Sequence, residues 1–242
     1  MPEGPSIVIL KEQAGAFSGR HVRAVDGNAK IDLQRLHGAR ILALRSFGKQ
    51  LLIETSAATL RIHLLMFGSY RINERAERPP RLHLRFARGE LNFYACSVRY
   101  LEQPIDALYD WRTDVMSDSW DARLALRRLR ASPDTLVCDA LLDQQIFAGV
   151  GNIIKNEVLF RIRVHPLSRV GALPAAKLRE MVREARQYSF DFLAWKKRFQ
   201  LRAHWLAHNK SVCPRDQIKF QRAYLGVRKR RTFFCERCQR RY

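Results

Sequence analysis

The first residues of this chain that could do chemistry are Met1-Pro2-Glu3. Met1 precedes a small residue, so an aminopeptidase is expected to remove it and leave Pro2 as the terminus. The proline nitrogen is then a secondary amine, a nucleophile that needs no side chain. An α-amino group titrates near about 7.7–8.0, so it is less protonated at neutral pH than a lysine. Glu3 lies beside it as a proton donor. An amine so placed can attack a sugar carbon and form an iminium, which is covalent catalysis.

A second chemical group gathers near the other end. Cys235-Glu236-Arg237-Cys238 is a Cys-x-x-Cys knuckle, and thiolates at that spacing turn back onto one tetrahedral zinc ion. The partner knuckle begins at Cys213, but Asp216 stands where its second cysteine belongs. One structural Zn2+ held by Cys213, Asp216, Cys235 and Cys238 is the expectation. His208 or His204 are alternatives for the fourth ligand. A metal-free hairpin cored by Tyr224, Leu225, Phe233 and Phe234 is the alternative to the whole site. Third, Gly149-Val150-Gly151-Asn152 leads into a helical pattern. Glycines let backbone N–H groups approach a phosphate, and a helix N-terminus favours the anion. The plain alternative is a tight interhelical turn.

The bulk of the chain says what such groups would act on. Across 242 residues, 44 Lys and Arg face 23 Asp and Glu, a net charge of +21. That sign and size suit a polyanionic partner, nucleic acid first and an anionic membrane second. A hydrophobic content of 47% and four tryptophans argue against disorder. No run approaches the roughly 18 apolar residues of a membrane span, and the N-terminus lacks the apolar core of a signal peptide. A cytoplasmic, nucleoid-associated location without membrane contact is therefore expected. Of five cysteines, three crowd the final stretch, which favours reduced thiols and metal over disulfides. Cys96 and Cys138 lie in apolar surroundings and read as core.

The elements that must position these groups follow from periodicity. Ile7, Val8, Leu10, Lys11, Ala14 and Phe17 are spaced for a helix from Ser6 to Phe17. Period two then takes over. Leu60, Ile62 and Leu64 alternate with Arg61 and His63, and Leu82, Leu84 and Phe86 with His83 and Arg85. Ile41–Leu44 and Leu51–Ile53 flank Ser46-Phe47-Gly48-Lys49. This is an antiparallel β-sandwich or barrel. Beyond Asp118 the period is helical. Helices are expected over Asp121–Arg130, from Ser132-Pro133 to Leu142, over Ile153–Phe160, and along Leu178, Met181, Val182, Ala185, Ser189 and Phe192. From Lys196 onward only Asp216 and Glu236 oppose a long run of basic residues, and metal is the natural agent to fold it. The expected class is α+β, with domains at 1–117 (β-sandwich), 118–208 (helical) and 209–242 (zinc finger).

These motifs together resemble the formamidopyrimidine-DNA glycosylase / endonuclease VIII family of base-excision repair enzymes. Met1-Pro2-Glu3-Gly4-Pro5 is similar to its N-terminal signature, and Ser46-Phe47-Gly48-Lys49 to its β-hairpin lysine. Leu141 to Ile153, with Asn156–Phe160 and His165-Pro166, is similar to its helix–two-turn–helix. Arg230–Cys235 with Cys238-Gln239 is similar to its final zinc-finger strand. The resemblance implies that Pro2 attacks C1′ of a damaged nucleotide while Glu3 protonates the opening sugar ring. It implies that Lys49, Asn152 and Arg230 bind phosphates flanking the damage, and that Leu65, Met66 and Phe67 form a wedge filling the hole left by an everted base. For the wedge residues, the alternative is burial in the sandwich core. The family also implies a monomer acting on damaged duplex DNA, with single strands as a further substrate.

Two departures bear on activity. Many members carry glutamate where this chain has Ser6, and Asp216 replaces a zinc cysteine. The short stretch before Cys213, and Ala95–Tyr100 in place of an Asp-Pro-Arg-Arg-Phe loop, lean toward endonuclease VIII and oxidised pyrimidines. The expected function is thus a glycosylase with AP lyase (β,δ-elimination) activity. The alternatives are the same scaffold acting on oxidised purines, or a non-catalytic zinc-ribbon protein that binds damaged DNA.

Overall fold

Gly4–Ala14 form the first helix, α1, because Pro5 presets the first-turn geometry while Ile7, Leu10 and Ala14 recur on one buried face. In the computed structural model, which describes residues 2–242, contacts divide the chain into two compact units. One ends at Asp110, the other runs from Trp111 to Tyr242. This boundary precedes the residue 117 expected from the change of period. Thr113, Asp114 and Val115 are already buried, and Asp114 bridges to Ala148.

In the first unit, α1 is followed by strands β1 (Ala24–Asp26), β2 (Ile41–Phe47), β3 (Gln50–Thr55), β4 (Thr59–His63), β5 (Ser69–Ile72), β6 (Leu82–Arg85), β7 (Glu90–Tyr94) and β8 (Ser97–Leu101), and by a short helix α2 (Ile105–Leu108). Two four-stranded antiparallel sheets result, ordered β1-β6-β7-β5 and β2-β3-β4-β8. Their inner faces carry Leu51, Ile53, Leu60, Ile62, Leu82, Leu84, Leu91 and Phe93 to one core, which α1 closes with Ile7, Leu10 and Ala14. This is the expected sandwich, and Cys96 is in its core.

The second unit holds α3 (Ala122–Arg130), α4 (Val137–Ala140), α5 (Asn152–Arg161), α6 (Ala175–Lys197) and a hairpin of β9 (Gln221–Leu225) and β10 (Arg230–Phe234). Asp121 caps α3 by accepting from the Arg123 and Leu124 amides. Leu178, Met181, Val182, Ala185, Ser189 and Phe192 of α6 are buried, the face that their spacing predicts. The helix expected from Ser132 to Leu142 is only the four residues of α4. Residues 133–137 instead exchange backbone hydrogen bonds with 168–171, among them Val137 N to Ser168 O at 3.0 Å and Gly171 N to Pro133 O at 2.8 Å. That pairing overrides the Ser-Pro start signal.

Helix α6 ends in an unusual way. Gln200 N donates to Trp195 O and Phe199 N to Lys196 O, at 2.8 and 3.1 Å. These two bonds define a Schellman cap, whose left-handed position usually holds glycine. Here it holds Phe199, at φ 59°, at a conformational cost of roughly 1–2 kcal/mol.

Candidate functional site

At the start of the first unit, Glu3 is the N-cap of α1. Its carbonyl accepts from Ser6 N at 2.8 Å. Glu3 is 1% exposed, Ser6 is buried, and Pro2 is partly exposed. Pro2 is thus held at the start of a helix whose first turn is buried, with a buried carboxyl group next to the proline. Removal of Met1, on which the amine chemistry depends, lies outside the described residues. Because Ser6 stands three residues into the helix, the first turn of α1 carries no acidic side chain.

Helix α1 packs against β2 and β3, whose connecting turn carries Lys49. Gly48, at φ 52°, makes that turn affordable. Gln50 pairs with His63 and Leu52 with Arg61. Burial lowers the His63 pKa, and the charges of Lys49 and Arg61 lower it further. Lys49 and Arg61 therefore form a cationic neighbourhood that favours the neutral form of His63. Arg61 and His63 were visible in the sequence only as the non-core alternates of β4.

Just past β4, Leu64 is buried but Leu65, Met66 and Phe67 are exposed, Phe67 to 80%. The turn is tight. Gly68 N donates to Leu64 O at 2.7 Å, and a Cβ on Gly68 would sit 2.0 Å from that oxygen. Leu65 takes φ 52°, and its amide donates to His63 Nδ1. The three side chains are thus held out from the fold and are not core residues.

In the second unit, Gly151 caps α5 and Asn152 opens it. Asn152 Nδ2 donates to Arg231 O at 2.8 Å, so this asparagine is held against β10, at the residue after Arg230. Two of the expected phosphate ligands thus sit on joined elements, α5 and β10. One amide proton of Asn152 is committed to the hairpin. Three more polar side chains extend this seam, all fully buried on α5: Lys155, Asn156 and Glu157. Lys155 Nζ donates to Thr232 Oγ1 at 2.7 Å. Asn156 Nδ2 contacts His208 Nδ1 at 3.0 Å. Burial above all, and then the nearby Lys155 charge, push the His208 pKa down to about 4, so the neutral ring can accept that bond at pH 7. Glu157 accepts from the amides of Leu206, Ala207 and His208. Each member of the seam makes at least one hydrogen bond, although the buried Oδ1 atoms of Asn152 and Asn156 have no partner among the described residues. Sequence reasoning missed Lys155 because a lysine in a helical pattern normally marks a solvated face.

Cys213, Asp216, Cys235 and Cys238 come together, with one ligand atom from each lying within 4.8 Å of all the others. A tetrahedral zinc ion with Zn–S bonds of about 2.3 Å requires sulfurs about 3.8 Å apart. Cys213 Sγ and Cys238 Sγ are 3.8 Å apart. Asp216 Oδ2 is 3.6 Å from Cys213 Sγ and 3.1 Å from Cys235 Sγ. The donor set therefore fits a metal ion. The histidines are engaged elsewhere: His204 stacks on Trp195 at 4.2 Å, and His208 is in the polar seam. The finger expected as a separate module at 209–242 is continuous with the helices. Gln239 Nε2 donates to Val164 O, and Arg215 donates to the Phe160 carbonyl at the end of α5.

Residues 1–100 match the formamidopyrimidine-DNA glycosylase N-terminal domain, and residues 113–188 the H2TH domain of the same enzymes. A DNA-(apurinic or apyrimidinic site) lyase Nei2 from Mycolicibacterium smegmatis is 30% identical over 183 residues, 72% of this chain and 71% of that protein. The chain belongs to the formamidopyrimidine-DNA glycosylase / endonuclease VIII family. Animal members of this family are similar too. Endonuclease 8-like 3 of Mus musculus is 30% identical over 93% of this chain, and Endonuclease 8-like 2 of Bos taurus 34% identical over 74%. The chain spans only 38% and 58% of the length of those two relatives. The family fold is also seen in a Lactococcus lactis formamidopyrimidine DNA glycosylase bound to AP-site DNA, with a TM-score of 0.85 at 21% identity, covering 99% of this chain and all of that one. A viral DNA glycosylase gives a TM-score of 0.84 at 20% identity, covering 98% and 99%. Family membership accounts for the coexistence of a Pro-Glu terminus, a helix–two-turn–helix and a ligand-bearing hairpin in one chain.

Proposed function

We propose that this protein is a base-excision DNA glycosylase with AP lyase activity, and that oxidised pyrimidines are its preferred lesions. The observation that carries the proposal is the buried carboxyl of Glu3 beside Pro2, at the fixed start of a helix in a family-matching domain. A base inside a duplex is out of reach, so the nucleotide must first be everted. The Pro2 nitrogen then bonds to C1′ and loses its proton. The glycosidic bond breaks, and the base departs with the electron pair and a proton. Glu3 gives a proton to O4′ as the C1′–O4′ bond opens, leaving a cationic iminium. That cation makes the C2′ proton acidic, and successive β- and δ-eliminations expel the 3′ and 5′ phosphates. Lys49, Asn152 and Arg230 hold the flanking phosphates, a role that needs fixed geometry rather than sequence information. The name of the M. smegmatis relative points to the same lyase chemistry.

Zinc is the metal we assign to the three-cysteine, one-aspartate site, where it would act as a closed structural cross-link with no coordination position left for substrate. The short connection from α6 to Cys213 supports the pyrimidine preference, because it leaves little chain to enclose a bulky purine. Faster excision of 8-oxoguanine than of oxidised pyrimidines from matched duplexes would overturn that preference.

The activity is tested by borohydride trapping. Processed protein should form a covalent adduct with abasic-site DNA, and chain that retains a residue before Pro2 should form none, because its proline nitrogen is an amide. Absence of an adduct with processed protein would leave the non-catalytic DNA-binding reading. The wedge has its own test. Phe67→Ala should leave stability within about ±0.5 kcal/mol, as expected for an exposed site. It should still slow excision at least about tenfold if the ring offsets even ~1.4 kcal/mol of unstacking. Unchanged excision would remove Phe67 from the wedge.

A further inference from the structure

Phe199 is a poor residue for stability in two independent ways. It occupies the left-handed position of the cap that ends α6, at φ 59°, where glycine carries no steric penalty. Its ring is also 98% exposed, more than any other large hydrophobic residue among those described. The ring is not a frayed end. Its position is set by the two cap bonds, by Ala203 N donating to Gln200 O, and by Trp195 stacking flat on His204 at 4.2 Å with an interplanar angle of 8°. The loop folds back and half-buries Trp195, His204 and Trp205 while Phe199 stays in water.

The surroundings say what could cover it. Lys196, Lys197 and Arg198 precede Phe199 directly and Arg202 follows one turn later, all exposed, and no Asp or Glu occurs between Asp191 and Asp216. Asp191 itself accepts from Gln187. A lone exposed ring beside a run of exposed cations suits a partner with an anionic backbone and flat apolar faces. It does not suit an extended apolar surface, which would need more than one ring.

We infer that Phe199 is a stacking platform for an unpaired base of nucleic acid, with the surrounding cations holding that strand's phosphates. The inference rests on the DNA-processing function proposed above. The chemistry requires only a base with a free face. Such a base could come from a single strand or from a nucleotide displaced out of a duplex. Stacking of a base on an aromatic side chain tolerates any sequence.

The test compares full-length wild type with Phe199→Gly, Phe199→Leu and Phe199→Trp. Glycine is chosen because it should relieve the left-handed backbone. Its melting temperature should therefore rise, by about 2–4 °C for each factor of five or so in folding equilibrium at this chain length. Affinity is measured for a fluorescent oligothymidine, for a duplex with one bulged thymidine, and for the fully paired duplex. Glycine and leucine should weaken binding to the probes with an unpaired base by about 5- to 150-fold, while tryptophan retains it and paired-duplex binding is unchanged. A loss confined to the oligothymidine would identify the base as one from a single strand. A loss confined to the bulged duplex would identify it as a displaced one. Wild-type affinity of the glycine and leucine variants for both probes would overturn the inference, as would an equal loss on paired duplex. So would wild-type self-association that the glycine variant abolishes without any change in DNA affinity, which would make the ring a contact between copies. Failure of wild type to bind any probe would instead overturn the DNA-processing function itself.

Discussion

Replacing Glu3 with glutamine is expected to slow base excision by about 10²–10⁴-fold, the usual contribution of one general acid, or about 2.7–5.4 kcal/mol of barrier. Reaction with a preformed abasic site should fall far less. The substitution is close to isosteric. Glu3 is buried, but the bond that starts α1, Ser6 N to Glu3 O, is made by backbone and survives the change. What the variant lacks is a proton to give to O4′. When the base is intact, the sugar ring is closed and its opening needs that proton. An abasic sugar already equilibrates with its open aldehyde, so the Pro2 amine can condense with it unaided. The variant should thus give near-normal borohydride adducts on abasic DNA and very little product on duplexes carrying an intact damaged base. Normal excision by the variant would remove Glu3 from the chemistry. Equal loss of both reactions with an unchanged melting temperature would mean that Glu3 serves the amine rather than the ring. Ser6 makes this experiment sharper than it would be with glutamate there, because no second carboxylate in the first turn of α1 can substitute for Glu3.

How far the sequence alone leads differs from one element to the next. The inward face of α6 and the alternation of β4 and β6 were legible because each is a local pattern repeated over many residues. The short α4 was not. A serine and a proline give a sound local start signal, but the backbone of residues 133–137 finds better partners at 168–171, far away in sequence. Lys155 was illegible for a related reason. Its burial depends on Thr232, which arrives on β10, and no helical periodicity anticipates a lysine facing a hydroxyl inside the fold. Leu65, Met66 and Phe67 were ambiguous between core and surface from the sequence, since apolar residues at a strand end are as compatible with a core as with solvent. Gly68, which closes the turn beneath them, decides the matter. The metal cluster sits between these cases. Cysteine spacing located it and put Asp216 at the fourth position, with His204 and His208 as alternatives; the stacking of one histidine and the hydrogen bond of the other set those two aside.

Replacing Cys235 with serine should abolish metal binding, taking the zinc content from about one per chain to near zero. Thiolates supply most of the affinity at such a site, and structural zinc in small fingers contributes apparent free energies of about 10–16 kcal/mol at pH 7. Cys235 is the ligand best chosen for the test. It is fully buried, its Sγ lies 3.1 Å from Asp216 Oδ2, and it directly follows the strand that carries Arg230 and Arg231. Without the ion, the knuckle keeps the Gln239 bonds to Cys235 N and Val164 O, but residues 213–216 and 235–238 are then joined by the long Arg215 to Cys238 Sγ contact at 3.8 Å and by apolar packing around Cys213, Phe220 and Cys235 instead of by metal–ligand bonds. Asn152 and Asn156 both donate to the Arg231 carbonyl, so loosening β10 should disturb the pair Asn152 and Arg230 together. The kinetic consequence is specific: weaker DNA binding and a higher KM, with the rate of trapping at saturating DNA changed far less, because Pro2 and Glu3 belong to the other unit. Asp216→Cys separates loss of metal from loss of fold. A fourth thiolate at that position should retain zinc and hold it more tightly than carboxylate does, so the metal should be harder to strip with a chelator. Folded, DNA-binding wild type without zinc, or a Cys235→Ser protein that keeps both its metal and its melting temperature, would overturn the site. A Cys235→Ser protein that loses trapping at saturating DNA would show instead that the hairpin serves the chemistry itself.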